Sequence, residues 1–130
     1  MQRLETRRVR FSKEADNWLR VLKSRTGVTP NLLCRLGFCL SLEEPTLPDP
    51  LKYPEDSERE INRYTLLGEY ESVFVALLRQ RTAESTNPAL SLDEQFRAHM
   101  NRGVILLAGR LRSLSELGEL IKVSGKSATI

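Results

Sequence analysis

The sequence predicts a mainly α-helical single domain of about four to five helices, with a short N-terminal strand and a proline-rich connector. Three observations carry this. Apolar residues recur at helical spacing in several separate segments. Good cap residues stand just ahead of those segments, at Ser12, Thr29, Ser57 and Ser91. Four of the six prolines fall in one stretch, "EEPTLPDPLKYPED", which divides the chain into two helical halves.

"RRVRFS" opens the pattern. Arg8, Val9, Arg10 and Phe11 alternate, so a short strand turns Val9 and Phe11 inward and the arginines outward. Ser12 is a good N-cap, with Glu14 and Asp16 in the electropositive first turn. A first helix follows from about Lys13 to Arg25, with Ala15, Trp18, Leu19 and Leu22 as its stripe. Gly27 is placed to stop it. Strand, helix, helix is also the order of ribbon-helix-helix DNA binders, in which two chains pair their strands in a major groove.

Thr29 and Pro30 read as N-cap and first helical residue. The second helix runs from about Pro30 to Leu42. Leu32, Leu33, Leu36 and Leu40 form a stripe, and Cys34, Phe38 and Leu42 widen it. A helix apolar around most of its circumference is buried on most sides. In a chain of 130 residues this favours an interface between copies. Leu32, Leu33, Leu36, Phe38 and Leu40 are therefore the candidate interface or core residues.

Residues 43–56 read as an extended, acidic connector or arm. Beyond it, "SERE" (Ser57, Glu60) and "SLDE" (Ser91, Glu94) have capping-box spacing. Tyr70, Val73, Phe74, Leu77 and Leu78 make one amphipathic stripe, and Gly68 marks a kink or the start of that helix. The second box opens a helix through Phe96, Met100 and "GVILLAG". "SLSE" (Ser113, Glu116) either opens a further short helix or continues that one. The helical second half spans 57–122, and 123–130 is expected to fray.

Several function classes lose support here. No apolar run is long enough to span a bilayer, and no apolar leader follows the basic N-terminus. A cytoplasmic bacterial or archaeal protein is the expectation. Two cysteines do not make a disulfide framework. Cys34 and Cys39 would point about 140° apart on one helix, which disfavours a local bridge. With His99 the only histidine, a zinc or iron–sulfur site lacks ligands. Both cysteines read as buried small hydrophobes, and His99 as a structural or interface residue. No phosphate-binding glycine loop or metal-protease motif appears. No catalytic residue, cofactor or metal is expected.

Charge is the stronger signal. Net charge is only +3, yet residues 1–40 hold nine Lys/Arg against three Asp/Glu, and residues 41–60 hold two against seven. Arg7 and the candidate DNA contacts Arg8, Arg10, Lys13, Arg20, Lys23, Arg25 and Arg35 crowd the basic front. Such a surface neutralises phosphates and gains from counterion release, without reading base sequence. A solvated helix face accounts for the charge alone about as well.

Four ordered blocks, "SKEADNWLRVLKSRTG", "LLCRLGFCLSLEEP", "GEYESVFVALLRQR" and "HMNRGVILLAG", resemble the DndE family of DNA sulfur modification (phosphorothioation) proteins. The resemblance covers roughly residues 7–109. It implies a compact, mostly helical subunit without assigned chemistry. It implies a homotetramer that binds nicked double-stranded DNA through surface lysines. It also implies work alongside a cysteine desulfurase, sulfur-transfer and ATP-using partners. The DNA-contact role passes to Lys13, Arg20 and Lys23, in a front end that favours arginine over lysine. Two other classes stand beside a DNA-binding subunit: an adaptor that offers the acidic arm to partner subunits, and a nicking nuclease, for which no carboxylate cluster is evident.

Overall fold

The computed structural model describes residues 3–87 and 89–124. It is mainly helical. Strand β1 (Arg8–Arg10) leads into α1 (Lys13–Thr26) and α2 (Pro30–Glu43). The connector carries one 3₁₀ turn, Pro50–Lys52. Strand β2 (Glu60–Asn62), the short α3 (Arg63–Leu67), α4 (Glu71–Ala83) and the long α5 (Leu92–Ser124) follow.

Local chemistry sets most boundaries. The Ser12 side chain accepts from Ala15 N at 3.2 Å. Gly27 takes φ 74°, the left-handed region, and its N–H reaches Lys23 O at 2.9 Å. Pro30 is the first residue of α2, although the Thr29 side chain makes no cap bond. Pro45 forces Glu44 to an extended ψ of 142° and α2 ends. Gly68, at φ 56°, closes α3 by donating to Tyr64 O, so it separates α3 from α4 rather than kinking one helix.

The core forms where α1, α2 and α4 pack around α5. Between Gln95 and Val104 the central helix is buried except at Arg102, which is half-buried. Phe38 is the hub, with ring centroids 5.6 Å from Phe74, 5.9 Å from Phe96 and 5.8 Å from His99. Val9 and Phe11 are 1% and 0% exposed, so the strand does turn its apolar side inward.

Four expectations are corrected. First, β1 pairs antiparallel with β2 of its own chain, Val9 opposite Ile61, so the ribbon is built within one molecule and not between two as in ribbon-helix-helix proteins. Second, "SERE" opens no helix: Glu60 lies in β2, and α3 is capped instead by Asn62, which accepts from Tyr64 N at 2.8 Å. Ser57 is taken by a buried partner, Asp16. Third, the connector is no free arm. Gln95 donates to Pro48 O, Arg97 to Pro50 O and Tyr53 O, and Arg102 to Thr46 O. Side chains of α5 thus satisfy connector carbonyls that no helix or strand ladder satisfies. Fourth, α2 is not buried on most sides. Leu33, Cys34 and Phe38 are core and Leu40 is half-buried, but Leu32 is 44% and Leu36 56% exposed, and Cys39 is exposed.

At "SLDE" Ser91 accepts from Glu94 N at 3.3 Å, while the Glu94 carboxylate turns to Arg97. The helix then continues through Ser113 to Ser124, so "SLSE" opens nothing. The side chains of Ser113 and Glu116, and the tail from 125 onward, lie outside the described residues.

Candidate nucleic-acid interface

The basic front end divides by what each cation is already holding. Arg8 and Arg10 project outward from the ribbon and share one carboxylate, Glu60, at 3.6 and 3.9 Å. Exposed pairs of this kind hold weakly and leave a net positive charge. Arg20 reaches back one turn to Asp16 at 3.2 Å. Lys13, Lys23 and Arg25 are exposed on α1, and among the described residues their side chains form no ion pair, although the Asp56 carboxylate accepts from Lys13 N at 2.8 Å. Arg7 is exposed, and its carbonyl accepts from Arg63 N at 2.8 Å.

Arg35 does not join this surface. It is half-buried, with Nε donating to Leu66 O at 2.5 Å and a terminal nitrogen to Thr65 O at 3.2 Å. Its fork satisfies the last carbonyls of α3. Sequence spacing could not show this, because Arg35 and Leu66 meet only through the packing of α2 on α3.

Beneath the α1 face lies a polar anchor. Asp16 is only 5% exposed. Its carboxylate accepts from Ser57 Oγ at 2.6 Å, Arg59 Nε at 2.5 Å and Arg20 at 3.2 Å. Burial alone would raise its pKa. The bonds from Ser57 and Arg59, with the charges of Arg59 and Arg20, outweigh that and hold it below the ordinary value. This network ties α1 to the segment that enters β2, and so fixes the ribbon beside the first turn of α1.

A serine–histidine pair also emerges, unseen in the sequence because its members are 58 residues apart: Ser41 Oγ lies 2.7 Å from His99 Nδ1. Arg102 Nε donates to the same hydroxyl at 2.8 Å. The hydroxyl and Nδ1 thus share one hydrogen bond whose direction is set by the imidazole tautomer, and His99 Nε2 is buried without a partner among the described residues. Ser41 and His99 are both 0% exposed. Burial first, then the charges of Arg102 and Arg81, push the His99 pKa down to about 3, so the ring is neutral. Such a pair resembles a nucleophile with its base, but its position is that of a core contact between α2 and α5. Cys34, also buried, has its thiol pushed up to about 12 by burial. Among the described residues no three His, Cys, Asp or Glu side chains gather as a metal site would require.

The remaining surface feature is apolar. Leu32 and Leu36 of α2 meet Tyr70, Val73 and Phe74 beside α2, in a groove of about 470 Å³. Tyr70, Val73 and Leu77 are 51%, 57% and 43% exposed, so the predicted α4 stripe buries only Leu78 fully and Phe74 in part. Cys39 follows Leu32 and Leu36 on the same stripe of α2, and burial and Glu43 raise its pKa.

Comparison with known proteins places this arrangement. The family described as DNA sulphur modification protein DndE matches residues 8–115, from β1 into α5. The chain belongs to the DndE family. The crystal structure of DndE from Escherichia coli B7A, described as involved in DNA phosphorothioation modification, superposes with a TM-score of 0.65 at 26% identity. The match covers 81% of this chain and 99% of that one. A glycine-to-lysine mutant of DndE superposes with a TM-score of 0.60, again at 26% identity and over 81% and 99% of the two chains. No curated protein matches. The family is one of DNA phosphorothioation, as the four sequence blocks implied. No helix among the described residues is long and apolar enough to cross a membrane.

Proposed function

We propose that the chain is a non-catalytic DNA-binding subunit of the DNA phosphorothioation machinery, which holds double-stranded DNA, nicked duplex included, on the ribbon and α1. The observation that carries this is the α1 face. Lys13 and Lys23 are exposed on the same side as Arg20, their side chains without an ion pair among the described residues, on a helix that the Asp16 anchor fixes beside Arg8 and Arg10, while Arg25 projects from the other side of α1. Unpaired cations on such a helix replace the counterions condensed on the phosphates, whose release drives binding. The non-catalytic part is supported by the burial of Ser41 and His99. The family's link to phosphorothioation makes the cysteine desulfurase, sulfur-transfer and ATPase proteins its working partners. The apolar α2–α4 face supports assembly of copies into a homotetramer, with Leu32, Leu36, Val73 and Leu77 at the contact.

Anisotropy titration of intact and nicked duplex at about 150 mM salt tests the reading. Lys23→Glu with Arg25→Glu is expected to weaken binding at least tenfold while leaving the fold intact. Arg20 is left in place, because a glutamate there would face buried Asp16. Unchanged affinity would remove Lys23 and Arg25, and with them the C-terminal half of α1, from the interface. Magnesium-dependent nicking of plasmid by the pure protein, lost in a point variant, would overturn the non-catalytic part.

A second reading, an adaptor between the ATPase and sulfur-transfer subunits with incidental DNA contact, is favoured by Leu51. It stands 90% exposed at the 3₁₀ turn of the acidic connector. Leu51→Asp should then abolish capture of partner subunits and spare DNA affinity.

A further inference from the structure

A second basic site lies away from α1. Ser72, Val75 and Arg79 follow one another along a single stripe of α4. With Arg63 and the N-terminal residues Arg3 and Leu4 they enclose a cleft of about 350 Å³. Three guanidinium groups and one carboxylate line it.

These groups are not equivalent. Arg63 is held on two sides: Nε pairs with Glu71 at 2.9 Å, and one terminal nitrogen donates to Leu4 O and Thr6 O, both at 2.9 Å. It cancels Glu71 and pins the N-terminal segment against α4. Arg3 and Arg79 have no hydrogen bond or ion pair among the described residues. Arg79 Nε is enclosed and finds no acceptor. A buried, unmatched guanidinium donor is rare in folded proteins, and here it borders an open cleft from which an acceptor can reach it. The cleft therefore keeps two uncompensated positive charges, a planar donor without a partner, and the Ser72 hydroxyl on its rim. Two guanidinium groups and a hydroxyl suit the several oxygens of a phosphate better than a single carboxylate.

We propose that this cleft binds a phosphate group, with Arg3 and Arg79 as its charged arms and Ser72 at its edge. It lies at the Arg8–Asn62 end of the ribbon, and Lys13 and Arg20 lie at the other. The exposed arginines of β1 stand between the two basic regions. A phosphate of the duplex that tracks along the ribbon can therefore reach the cleft. That source rests on the DNA-binding reading; a free phosphate ion is the other source.

The test uses the full chain labelled with ¹⁵N, reading the Arg Nε–H resonances, together with anisotropy on nicked duplex. Arg3→Gln alters an exposed side chain, and Arg79→Lys keeps the charge but loses the planar fork. Inorganic phosphate is expected to shift the Arg79 resonance in the wild type. Arg3→Gln with Arg79→Gln is expected to weaken duplex binding roughly tenfold and flatten its salt dependence by about one phosphate. Arg79→Lys should fall between. A resonance shift with phosphate but unchanged duplex affinity supports the site and identifies the free ion as its source. Weakened duplex binding without a response to phosphate supports the site and identifies the duplex backbone. A wild type that responds to phosphate but binds no duplex leaves the cleft standing and overturns the DNA-binding function. No response to phosphate together with unchanged duplex affinity in a folded Arg3→Gln, Arg79→Gln protein overturns the site.

Discussion

Gly37 of α2 and Gly103 of α5 pack backbone against backbone: a Cβ on Gly103 would lie 2.2 Å from the carbonyl oxygen of Gly37, and one on Gly37 would lie 2.5 Å from the carbonyl carbon of Gly103. Both residues are buried, and neither obstruction is a side chain that could turn away. This approach sets the depth at which α2 enters the core, and hence where Phe38, Ser41 and His99 meet. Gly37→Ala and Gly103→Ala are each expected to lower unfolding free energy by about 2–3 kcal/mol, through forced separation of two packed helices. Gly109→Ala, also on α5, meets nothing within 4 Å and serves as the control. It should be neutral or slightly stabilising. Urea unfolding of the three variants decides the matter; equal midpoints would show that the helices are not held this close.

His99 gives the fold a pH dependence of known sign. Its pKa falls from the ordinary 6.5 to about 3, because burial and the nearby Arg102 and Arg81 disfavour the imidazolium. The unfolded chain therefore binds the proton first. The stabilisation is fully present above pH 6.5 and is lost as pH falls from there toward 3. The slope should approach about 1.4 kcal/mol per pH unit between its limits. His99 is the only histidine, so the part of this window above the carboxylates is its own. Unfolding free energies between about pH 6.5 and 5 should lose that slope in His99→Gln. Parallel profiles would mean that the ring binds its proton equally well in the folded and unfolded protein.

Asp16 is expected to behave as an anchor and not as a surface charge. Asp16→Asn keeps the shape but weakens the bonds from Arg59 and Ser57. A loss of about 2 kcal/mol follows from removing a charge-assisted, largely buried acceptor. Its carboxylate stabilises the fold above its ordinary pKa of 3.8, and that contribution disappears as pH drops through its lower folded value. Hydrogen exchange at Ile61 and Arg63 should quicken in the variant, because the ribbon is held through Arg59. Unaltered exchange would disconnect Asp16 from the ribbon.

Cys39 can report on assembly. It shares the stripe of exposed Leu32 and Leu36, whereas Cys34 is buried. In a homotetramer joined through α2 and α4, Cys39 should resist maleimide at high protein concentration, and label as the protein is diluted. Leu36→Asp should lower the native mass and speed labelling severalfold at every concentration. An unchanged mass would exclude this face from the contact.

The α1 and α2 boundaries were legible because their causes are local. Ser12, Gly27, Pro30 and Pro45 act on backbone dihedrals and hydrogen bonds within one turn. The family resemblance was legible for a related reason, since its blocks are runs of contiguous residues. "SERE" misled because capping-box spacing can occur where no helix follows, and β2 carries a single apolar residue, Ile61, which by itself shows no alternation.

By itself, then, the sequence determined the helical class, the α1 and α2 ends, the inward turn of Val9 and Phe11, the sign of the front end and the family. Only the tertiary structure decided how these parts are used. It paired β1 with β2 across the connector, gave Ser57 and Arg59 to Asp16, and removed Arg35 from the basic surface. It strapped the proline-rich segment to Gln95, Arg97 and Arg102, and left Cys39 outside while Cys34 went in. The physical reason is common to all of these. A buried polar group takes whatever partner the packing of distant elements brings within hydrogen-bond reach, and an apolar stripe is covered only where another element arrives. Neither is encoded by spacing along the chain.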